Sequence, residues 1–286
     1  MMPSATSTPG TLYVIATPIG NRDDISFRAL RTLQSVDFIL AEDTRHSSPL
    51  LTLLGVKKPL LALHAHNEAT QSEPLIKRLQ AGETCALISD AGTPLISDPG
   101  YPLVKLAREK GIPVVPIPGA CALITALSAA GVPCEVFTFA GFLPTKQAAR
   151  RQKLAFFSTL DHTVVFYEST HRIVACIEDI AHVFGDACEL VLAKELTKTF
   201  ERFVTGTPRQ LNAWLSEERG HEKGEFVLIL PARALPPAET SPEHCLAVLL
   251  AELPLKQAVK LAAELTGINK NELYTLALHQ QKEKNG

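Results

Sequence analysis

The sequence predicts an α/β protein: two α/β domains, the first with a parallel sheet, and a small helical domain after them. Three observations predict this class. Apolar runs alternate with helical patterns in the first half, a second series of strands and helices follows, and a proline-rich segment precedes three final helical patterns. Such alternation indicates right-handed parallel crossovers. We expect a disordered leader at residues 1–10, α/β domains at 11–120 and 121–232, and the helical domain at 241–286.

Five short apolar runs in the first domain predict strands, and the segments between them predict helices. The strands are Leu12–Ala16, Val36–Ala41, Leu60–His64, Thr84–Ser89 and Pro113–Ile117. The helices are Ser26–Ser35, Ser47–Leu54, Ser72–Ala81 and Tyr101–Lys110. Glycines at positions 82 and 111 precede the last two strands, where they stop the preceding helices.

A helix of small residues over Cys121–Gly131 leads into the second domain. Its strands are predicted at Glu135–Gly141, Thr163–Tyr167, Glu189–Ala193, Glu201–Thr205 and Glu225–Leu230. Its helices are predicted at Lys146–Phe157, His171–Phe184 and Pro208–Glu218.

The segment from Pro231 to Pro242 contains four prolines and predicts a linker. Three short helices follow, at Glu243–Glu252, Leu255–Leu265 and Lys270–Gln281. The turn at 266–269 resembles that of a helix-turn-helix, which would contact nucleic acid. Two amphipathic helices joined by a glycine turn also commonly pack against a domain, and both interpretations stay open.

Composition excludes several classes of protein. The 286 residues are 46% hydrophobic and 20% charged, as in an ordinary soluble protein. No apolar run is long enough for a membrane span, and the first residues do not resemble a secretion signal, so we expect a cytoplasmic protein. The six cysteines form no CxxC pair and are expected to be small buried hydrophobes. Because the net charge is −2, any contact with nucleic acid would have to be local.

The loop Ile88–Gly100, with sequence ISDAGTPLISDPG, is the strongest candidate for a ligand site. It follows an apolar strand and precedes a helix, so it lies at the end of a strand where open α/β sheets bind ligands. Its glycines let a ligand approach the backbone, and its prolines hold the loop rigid. A rigid turn with an aspartate cap is the alternative. The loop after the first strand, TPIGN at 17–21, lacks the GxGxxG pattern of a dinucleotide site.

Several motifs occur in an order that identifies a family. They are TPIGN at 17–21, AEDTRH at 41–46, LHAHNE at 63–68, ISDAGTPLISDPG at 88–100, PIPGACALITALSAAG at 116–131, FYESTHR at 166–172, KELTK at 194–198 and KGE at 223–225. From about Leu12 onward the chain resembles the bacterial ribosomal RNA small subunit methyltransferase I family of the tetrapyrrole methylase superfamily. The resemblance implies S-adenosylmethionine (SAM) as cofactor, a homodimer, and methylation of a cytidine 2′-hydroxyl in the decoding region of 16S rRNA, with the 30S subunit as the expected partner.

The resemblance also implies the residues of the site. The cofactor contacts would be Asp90, Gly92, Thr93, Pro94, Leu95, Ile96, Cys121, Ala122, Tyr167, Leu196, Gly224 and Glu225. In AEDTRH, the Asp43 carboxylate or the His46 imidazole could take the hydroxyl proton, and Arg45 could clamp a phosphate. An internal ion pair between Asp43 and Arg45 is the alternative.

The remaining predictions concern the substrate. The TPIGN loop has Thr17 and Ile19 where the superfamily usually has glycines, so its Pro18 and Asn21 would face a different substrate. Hydrogen bonds at the mouth of the cleft are expected from His66, Asn67 and Glu68. Phosphate contacts are expected from the basic run Lys146, Arg150, Arg151 and Lys153, of which three members share one helix face. No metal is expected, because the pair His64 and His66 has no identifiable third ligand.

Two other functions stay open at this point. One is a C-methyltransferase of tetrapyrrole synthesis, which would need a broad apolar cleft and no helical tail. The other is a non-catalytic ribosome-binding factor that only senses SAM.

Overall fold

The computed structural model describes residues 8–233 and 242–284. The chain divides into two compact units, of which the first ends at Ala232 and the second begins at Arg233. The first unit holds two sheets and their helices, and the predicted domain boundary after residue 120 lies inside it. Most of the predicted leader and most of the predicted linker lie outside the described residues.

The first sheet has five strands, and all of their pairings are parallel, in the order β3-β2-β4-β1-β5. The strands are β1 Leu12–Ile15, β2 Phe38–Ala41, β3 Leu60–Ala62, β4 Cys85–Leu87 and β5 Val114–Ile117. The helices are α1 Phe27–Ser35, α2 Thr44–Leu53, α3 Glu68–Gln80 and α4 Tyr101–Glu109, and a short 3₁₀ turn spans Arg22–Asp24. This sheet confirms the parallel sheet predicted for the first half of the chain.

Two helices begin earlier than the sequence predicts, each for a local reason. Helix α2 begins at Thr44 because the Asp43 carboxylate accepts a hydrogen bond from the Arg45 amide and caps the helix. Helix α3 begins at Glu68 and not at Ser72. The Ser72 hydroxyl donates to the Glu68 carbonyl inside the helix. Ser72 therefore lies within the first turns and does not cap the helix.

The second sheet is mixed, with the strand order β6-β7-β10-β8-β9. Its strands are β6 Phe137–Phe142, β7 Thr163–Ser169, β8 Leu190–Lys194, β9 Arg202–Gly206 and β10 Glu225–Leu230. Its helices are α5 Ala122–Ala129, α6 Gln147–Phe157, α7 Ile173–Phe184 and α8 Pro208–Glu217. Only β6 and β7 pair in parallel, while β10 lies in the centre and pairs antiparallel with β7 and β8.

Alternating side chains bury both faces of each sheet. In β7, for example, Phe166 packs toward α6–α8, whereas Val165 packs toward α5. The core on the α5 side also receives Ile19 from the TPIGN loop. The first loop of the chain therefore packs onto the second sheet.

The second unit contains three helices, α9 Pro242–Glu252, α10 Leu255–Thr266 and α11 Lys270–Lys284. They enclose a core of their own, which includes Leu246, Val259 and Leu273. Gly267, at φ +71°, adopts the left-handed conformation that ends α10. Among the residues that the structure describes, no helix is both long and apolar enough to cross a membrane.

Candidate active site

The first wall of the site is the loop 88–100, here called the aspartate loop, which is tied to the TPIGN loop. The Thr17 amide donates to the Gly92 carbonyl at 2.9 Å, and the Gly92 amide donates back at 3.1 Å. The Thr93 hydroxyl donates to the Ala120 carbonyl at 3.1 Å, which joins the loop to the segment before α5. Three segments distant in sequence are thereby fixed at the ends of β1, β4 and β5.

The aspartate loop is strained at two non-glycine residues, since Leu95 and Ser97 have φ of +71° and +73°. Such conformations persist only where the surroundings impose them, and they concentrate at functional sites. Glu68 imposes the end of the loop, because its Oε2 accepts a 2.6 Å hydrogen bond from the Gly100 amide. Glu68 is thus an anchor of the loop.

The second wall comes from the second sheet. The Tyr167 hydroxyl accepts a 3.0 Å hydrogen bond from the Leu123 amide at the beginning of α5. Thr170 and Gly224 exchange two hydrogen bonds of 2.8 Å, so the ends of β7 and β10 are joined.

The KELTK segment, residues 194–198, follows β8 and is also strained. Glu195 and Thr197 have φ of +51° and +65°. The Glu195 Oε1 atom accepts hydrogen bonds of 2.9 Å from the Glu225 amide and from the Lys198 ammonium. The pKa of Glu195 would rise through burial, but these hydrogen bonds hold it below its usual value.

The TPIGN and KELTK segments meet and join the two walls. The Asn21 amide donates to the Thr197 hydroxyl at 3.0 Å. A Cβ atom on Gly20 would lie 2.5 Å from the Lys198 Cγ atom, so only glycine permits this approach.

The two walls enclose a cavity of about 420 Å³, within the usual range for small-molecule sites. Most of the residues predicted to contact the cofactor line it: Asp90, Gly92, Thr93, Ile96, Cys121, Ala122, Tyr167, Leu196, Gly224 and Glu225. Pro94 and Leu95 lie outside this lining. Pro94 is buried, and Leu95 packs against the core beside α3 and α4.

The cavity lining also contains residues that the sequence analysis does not identify. They include Ile19, Asp98, Phe142 and His171. Ile19, Asp98 and His171 lie inside motifs quoted above, so their position within those motifs is a signal in the sequence. Phe142 ends β6, and nothing in its sequence context distinguishes it.

Three carboxylates influence one another beside the cavity. Burial, with the nearby charges of Glu42 and Asp90, raises the pKa of Asp98 to about 6. Burial and the charge of Asp90 also raise the pKa of Glu42. Asp90 is already engaged, because its Oδ1 accepts a 3.1 Å hydrogen bond from the Asp43 amide. Asp98 combines a raised pKa with a position in the cavity lining.

The AEDTRH segment forms the internal ion pair that the sequence left as an alternative. The Asp43 carboxylate accepts 3.0 Å and 2.7 Å hydrogen bonds from the Arg45 guanidinium as well as one from its amide. These bonds lower the pKa of Asp43 to about 2, which makes it a weak base. The Arg45 side chain is 89% exposed, and His46 is exposed as well.

The residues predicted to contact the substrate from the TPIGN and LHAHNE motifs differ in exposure and in hydrogen bonding. Asn67 bonds its own turn, since its amide group donates to the Ala62 carbonyl and accepts from the His64 amide. His66 is exposed, whereas Pro18 is buried.

The basic run contradicts its prediction at one position. Arg150 is buried and pairs at 2.6 Å with Asp179 of α7, which also accepts a 2.6 Å hydrogen bond from Arg151. A buried and neutralised guanidinium cannot reach an RNA phosphate, so the predicted contact from Arg150 is wrong. Lys146 and Lys153 are exposed and remain predictions.

Arg150 and Arg172 instead hold the chain after β6. Arg150 donates to the Thr145 carbonyl at 3.2 Å, and Arg172 donates to the Leu143 carbonyl. They fix the segment that follows Phe142, a residue of the cavity. Within residues 8–233 and 242–284 no cluster of three metal-ligating side chains occurs.

Comparisons with known proteins agree with this architecture. Residues 11–212 match the family of Tetrapyrrole (Corrin/Porphyrin) Methylases, and residues 236–282 match the RsmI C-terminal HTH domain. The chain is 51% identical to Ribosomal RNA small subunit methyltransferase I of Escherichia coli O157:H7, over 97% of this chain and 98% of that protein. It is 50% identical to the Pseudomonas aeruginosa protein of the same name, over 95% and 98%.

Solved structures share the fold at low identity. Diphthine synthase aligns with a TM-score of 0.63 and 16% identity, over 79% of this chain and 91% of that one. Uroporphyrin-III-C-methyltransferase of Thermus thermophilus aligns with a TM-score of 0.55 and 20% identity, over 78% and 94%. A structure of the Thermus enzyme complexed with S-adenyl homocysteine aligns with a TM-score of 0.54 and 16% identity, over 77% and 97%.

Proposed function

Because the chain belongs to the ribosomal RNA small subunit methyltransferase I family of tetrapyrrole methylases, we propose that it methylates a cytidine 2′-hydroxyl of 16S rRNA with SAM as the donor. The observation that carries this proposal is the cavity between the two sheets, which the family's motifs line. The high identity to the named relatives extends over nearly the whole chain and includes the helical tail.

The chemistry of the cavity lining suits SAM, which has an adenine ring, polar groups and a positively charged sulfonium. Apolar side chains such as Ile19, Phe142 and Leu196 would contact the adenine and exclude water. The carboxylate of Asp90 would face the cationic portion of the cofactor. When bound, SAM supplies an electrophilic methyl group.

The residues of this chain would position the hydroxyl and accept its proton. We place Asp98, and not Asp43, in the role of proton acceptor. Asp98 lines the cavity and has a pKa of about 6, so it is ionised at neutral pH yet basic enough to take a proton. Asp43 is engaged by Arg45. The rest of the rate acceleration would come from holding the hydroxyl in line with the methyl group.

Contacts with the RNA would come from exposed groups around the cavity. Arg45, His46, His66, Lys146 and Lys153 are exposed and could bond phosphates or ribose. A cytidine whose 2′-hydroxyl enters the cavity must be unpaired and splayed out, as is usual for sequence-specific RNA sites. Cytoplasmic location, a homodimeric state and the 30S subunit as substrate belong to the same proposal.

A methyl-transfer assay tests the proposal against both alternatives. The purified chain is incubated with labelled SAM and, separately, with 30S subunits, naked 16S rRNA and uroporphyrinogen III. Transfer to the RNA, with 2′-O-methylcytidine as the product by nucleoside mass mapping, supports the proposal. Transfer to the tetrapyrrole alone supports the C-methyltransferase, and SAM binding without any transfer supports the sensing factor.

Thr93→Arg provides the matched inactive control. The Thr93 side chain lines the cavity and bonds the Ala120 carbonyl, so a long cation there would fill the cofactor site. The variant should melt like the wild type but transfer no methyl group. Normal turnover by the folded variant would mean that the aspartate loop is only a structural turn.

A further inference from the structure

Two phenylalanines lie almost fully in solvent close to the junction of the TPIGN and KELTK segments. The side chain of Phe27 is 88% exposed and that of Phe200 is 70% exposed. Phe27 begins α1, six residues after Asn21, and Phe200 comes three residues after Thr197. Asn21 and Thr197 are hydrogen-bonded to each other, and Ile19 and Leu196 of the same two segments line the cavity. Both phenylalanines are therefore on chain segments that leave this junction.

Both rings stand on backbone that is fixed by hydrogen bonds. The Asn21 side chain caps the 3₁₀ turn, and the Ser26 hydroxyl accepts from the Ala29 amide to cap α1, so Phe27 is held in a helical first turn. The Glu201 amide donates to the Lys198 carbonyl, which closes a turn around Phe200. The Glu201 carboxylate in addition accepts a 2.6 Å hydrogen bond from the Thr197 amide. Ordered backbone lowers the entropy that a ligand would have to remove.

Exposed cations accompany the two rings. Arg22 and Arg28 flank Phe27, and Arg202 follows Phe200. The acidic groups of these segments include Asp23, Asp24 and Glu201, of which Glu201 accepts from Thr197, while Glu195 and Glu225 are paired with Lys198. Arg22 and Arg28 take part in none of the ion pairs found among the described residues.

We propose that Phe27 and Phe200 are stacking platforms for the rRNA nucleotides next to the methylated one. The inference rests on the proposed function, because a splayed nucleotide entering the cavity must leave its neighbours unstacked at the rim. Aromatic rings accept those bases, and the adjacent arginines accept the phosphates between them. The platforms hold the RNA in register, so they act on RNA affinity and not on the transfer step.

The experiment compares Phe200→Ala, Phe200→Leu and Phe200→Trp with the wild type, using 30S subunits as substrate. A lost stacking contact should raise the KM for RNA about 5- to 150-fold in the Ala and Leu variants. Phe200→Trp should keep the wild-type KM, because tryptophan also stacks. The SAM affinity and kcat should not change. Phe27→Ala should act in the same direction.

Phe137→Leu is the matched control. Phe137 is 36% exposed at the beginning of β6, whereas Phe142, which lines the cavity, is at the other end of this strand. The replacement should leave the KM unchanged. A KM for Phe200→Leu equal to that of the wild type would overturn the proposal, and so would a change of oligomeric state in the variants, which would assign the rings to contact with a second copy of the chain.

A binding measurement separates this proposal from the enzymatic one. Single-stranded RNA with 2-aminopurine beside the target cytidine loses fluorescence when its base stacks on a ring. Quenching by the wild type and by Phe200→Trp, but not by Phe200→Leu, supports the platforms even if no methyl transfer is found. Equal quenching by all three proteins overturns them even if transfer is normal.

Discussion

Replacing Asp179 by asparagine should destabilise the α/β unit strongly. The Asp179 side chain is fully buried and receives hydrogen bonds of 2.6 Å from both Arg150 and Arg151. Asparagine is nearly the same size but has no charge, so the change leaves the guanidinium of Arg150, with only 6% of its side chain exposed, buried and unpaired. Arg151 is 36% exposed and can turn toward water. Most of the cost therefore comes from Arg150.

Breaking a buried ion pair on one side costs about 3–5 kcal/mol of unfolding free energy. For a unit of this size, about 2–4 °C is lost per kcal/mol, so the melting temperature should fall by about 6–20 °C. Circular dichroism on heating measures this change. Asp161→Asn is the control, because Asp161 is 77% exposed in its pair with His162 and should cost about 1 kcal/mol or less.

The effect should also depend on pH in a defined direction. Burial alone would raise the pKa of Asp179, but the hydrogen bonds from Arg151 and Arg150 outweigh it and hold the pKa below its usual value. Because the pKa is lower in the folded state, the group stabilises the protein at pH values above its unfolded-state pKa of about 4. This stabilisation is lost as the pH falls through the folded-state pKa. The difference between wild type and variant should therefore narrow in acid. A difference in unfolding free energy below about 1 kcal/mol at pH 7, or a difference that does not change with pH, would refute the reasoning.

Three further outcomes are expected. In the wild type, kcat/KM should fall as pH drops through about 6, because the Asp98 carboxylate becomes protonated. Asp98→Asn should remove this acid limb of the pH profile. An unchanged limb would exclude Asp98 as the base. Gly224→Ala should weaken SAM binding measured by calorimetry, because φ is +113° and the new Cβ would lie 2.5 Å from the Glu195 Oε1 atom. The control Gly220→Ala should bind SAM normally, because no atom lies within 4 Å of its new Cβ. Deleting the chain from Arg233 onward should leave SAM affinity intact but cripple methylation of 30S subunits, and full activity of the shortened chain would show that the second unit has no part in holding the substrate.

The sequence predicts most of the elements because each depends on local pattern. The aspartate loop is predicted for the same reason: its contacts to the cavity lie within a few consecutive residues. Its chemistry is harder to predict, because the pKa of Asp98 is raised first by burial and then by the charge of Glu42, which follows β2 and is far away in sequence. Secondary-structure propensity and the spacing of residues along the chain do not predict distances between such remote groups.

The burial of Arg150 could not be predicted either. Its run of basic residues has the spacing of an exposed helix face, and the partner that changes this interpretation, Asp179, is 29 residues away on another helix. Asp43 is the opposite case. Its partner Arg45 is two residues away, so the ion pair could be stated in advance as an alternative.

The central place of β10 in the second sheet has a consequence for biosynthesis. The first sheet has all of its strands once Ile117 has been made, but the second lacks its middle strand until Leu230 has been made. Strand β7 is complete at Ser169, and at about 5–20 residues per second the nascent chain needs roughly 3–12 s to reach Leu230. During this time β7 has no partner on its inner edge, and from Lys194 onward β8 has none either. Unpaired apolar edges favour aggregation. We expect slow codons placed between β7 and β10 to lengthen this interval and to lower the soluble yield of the protein.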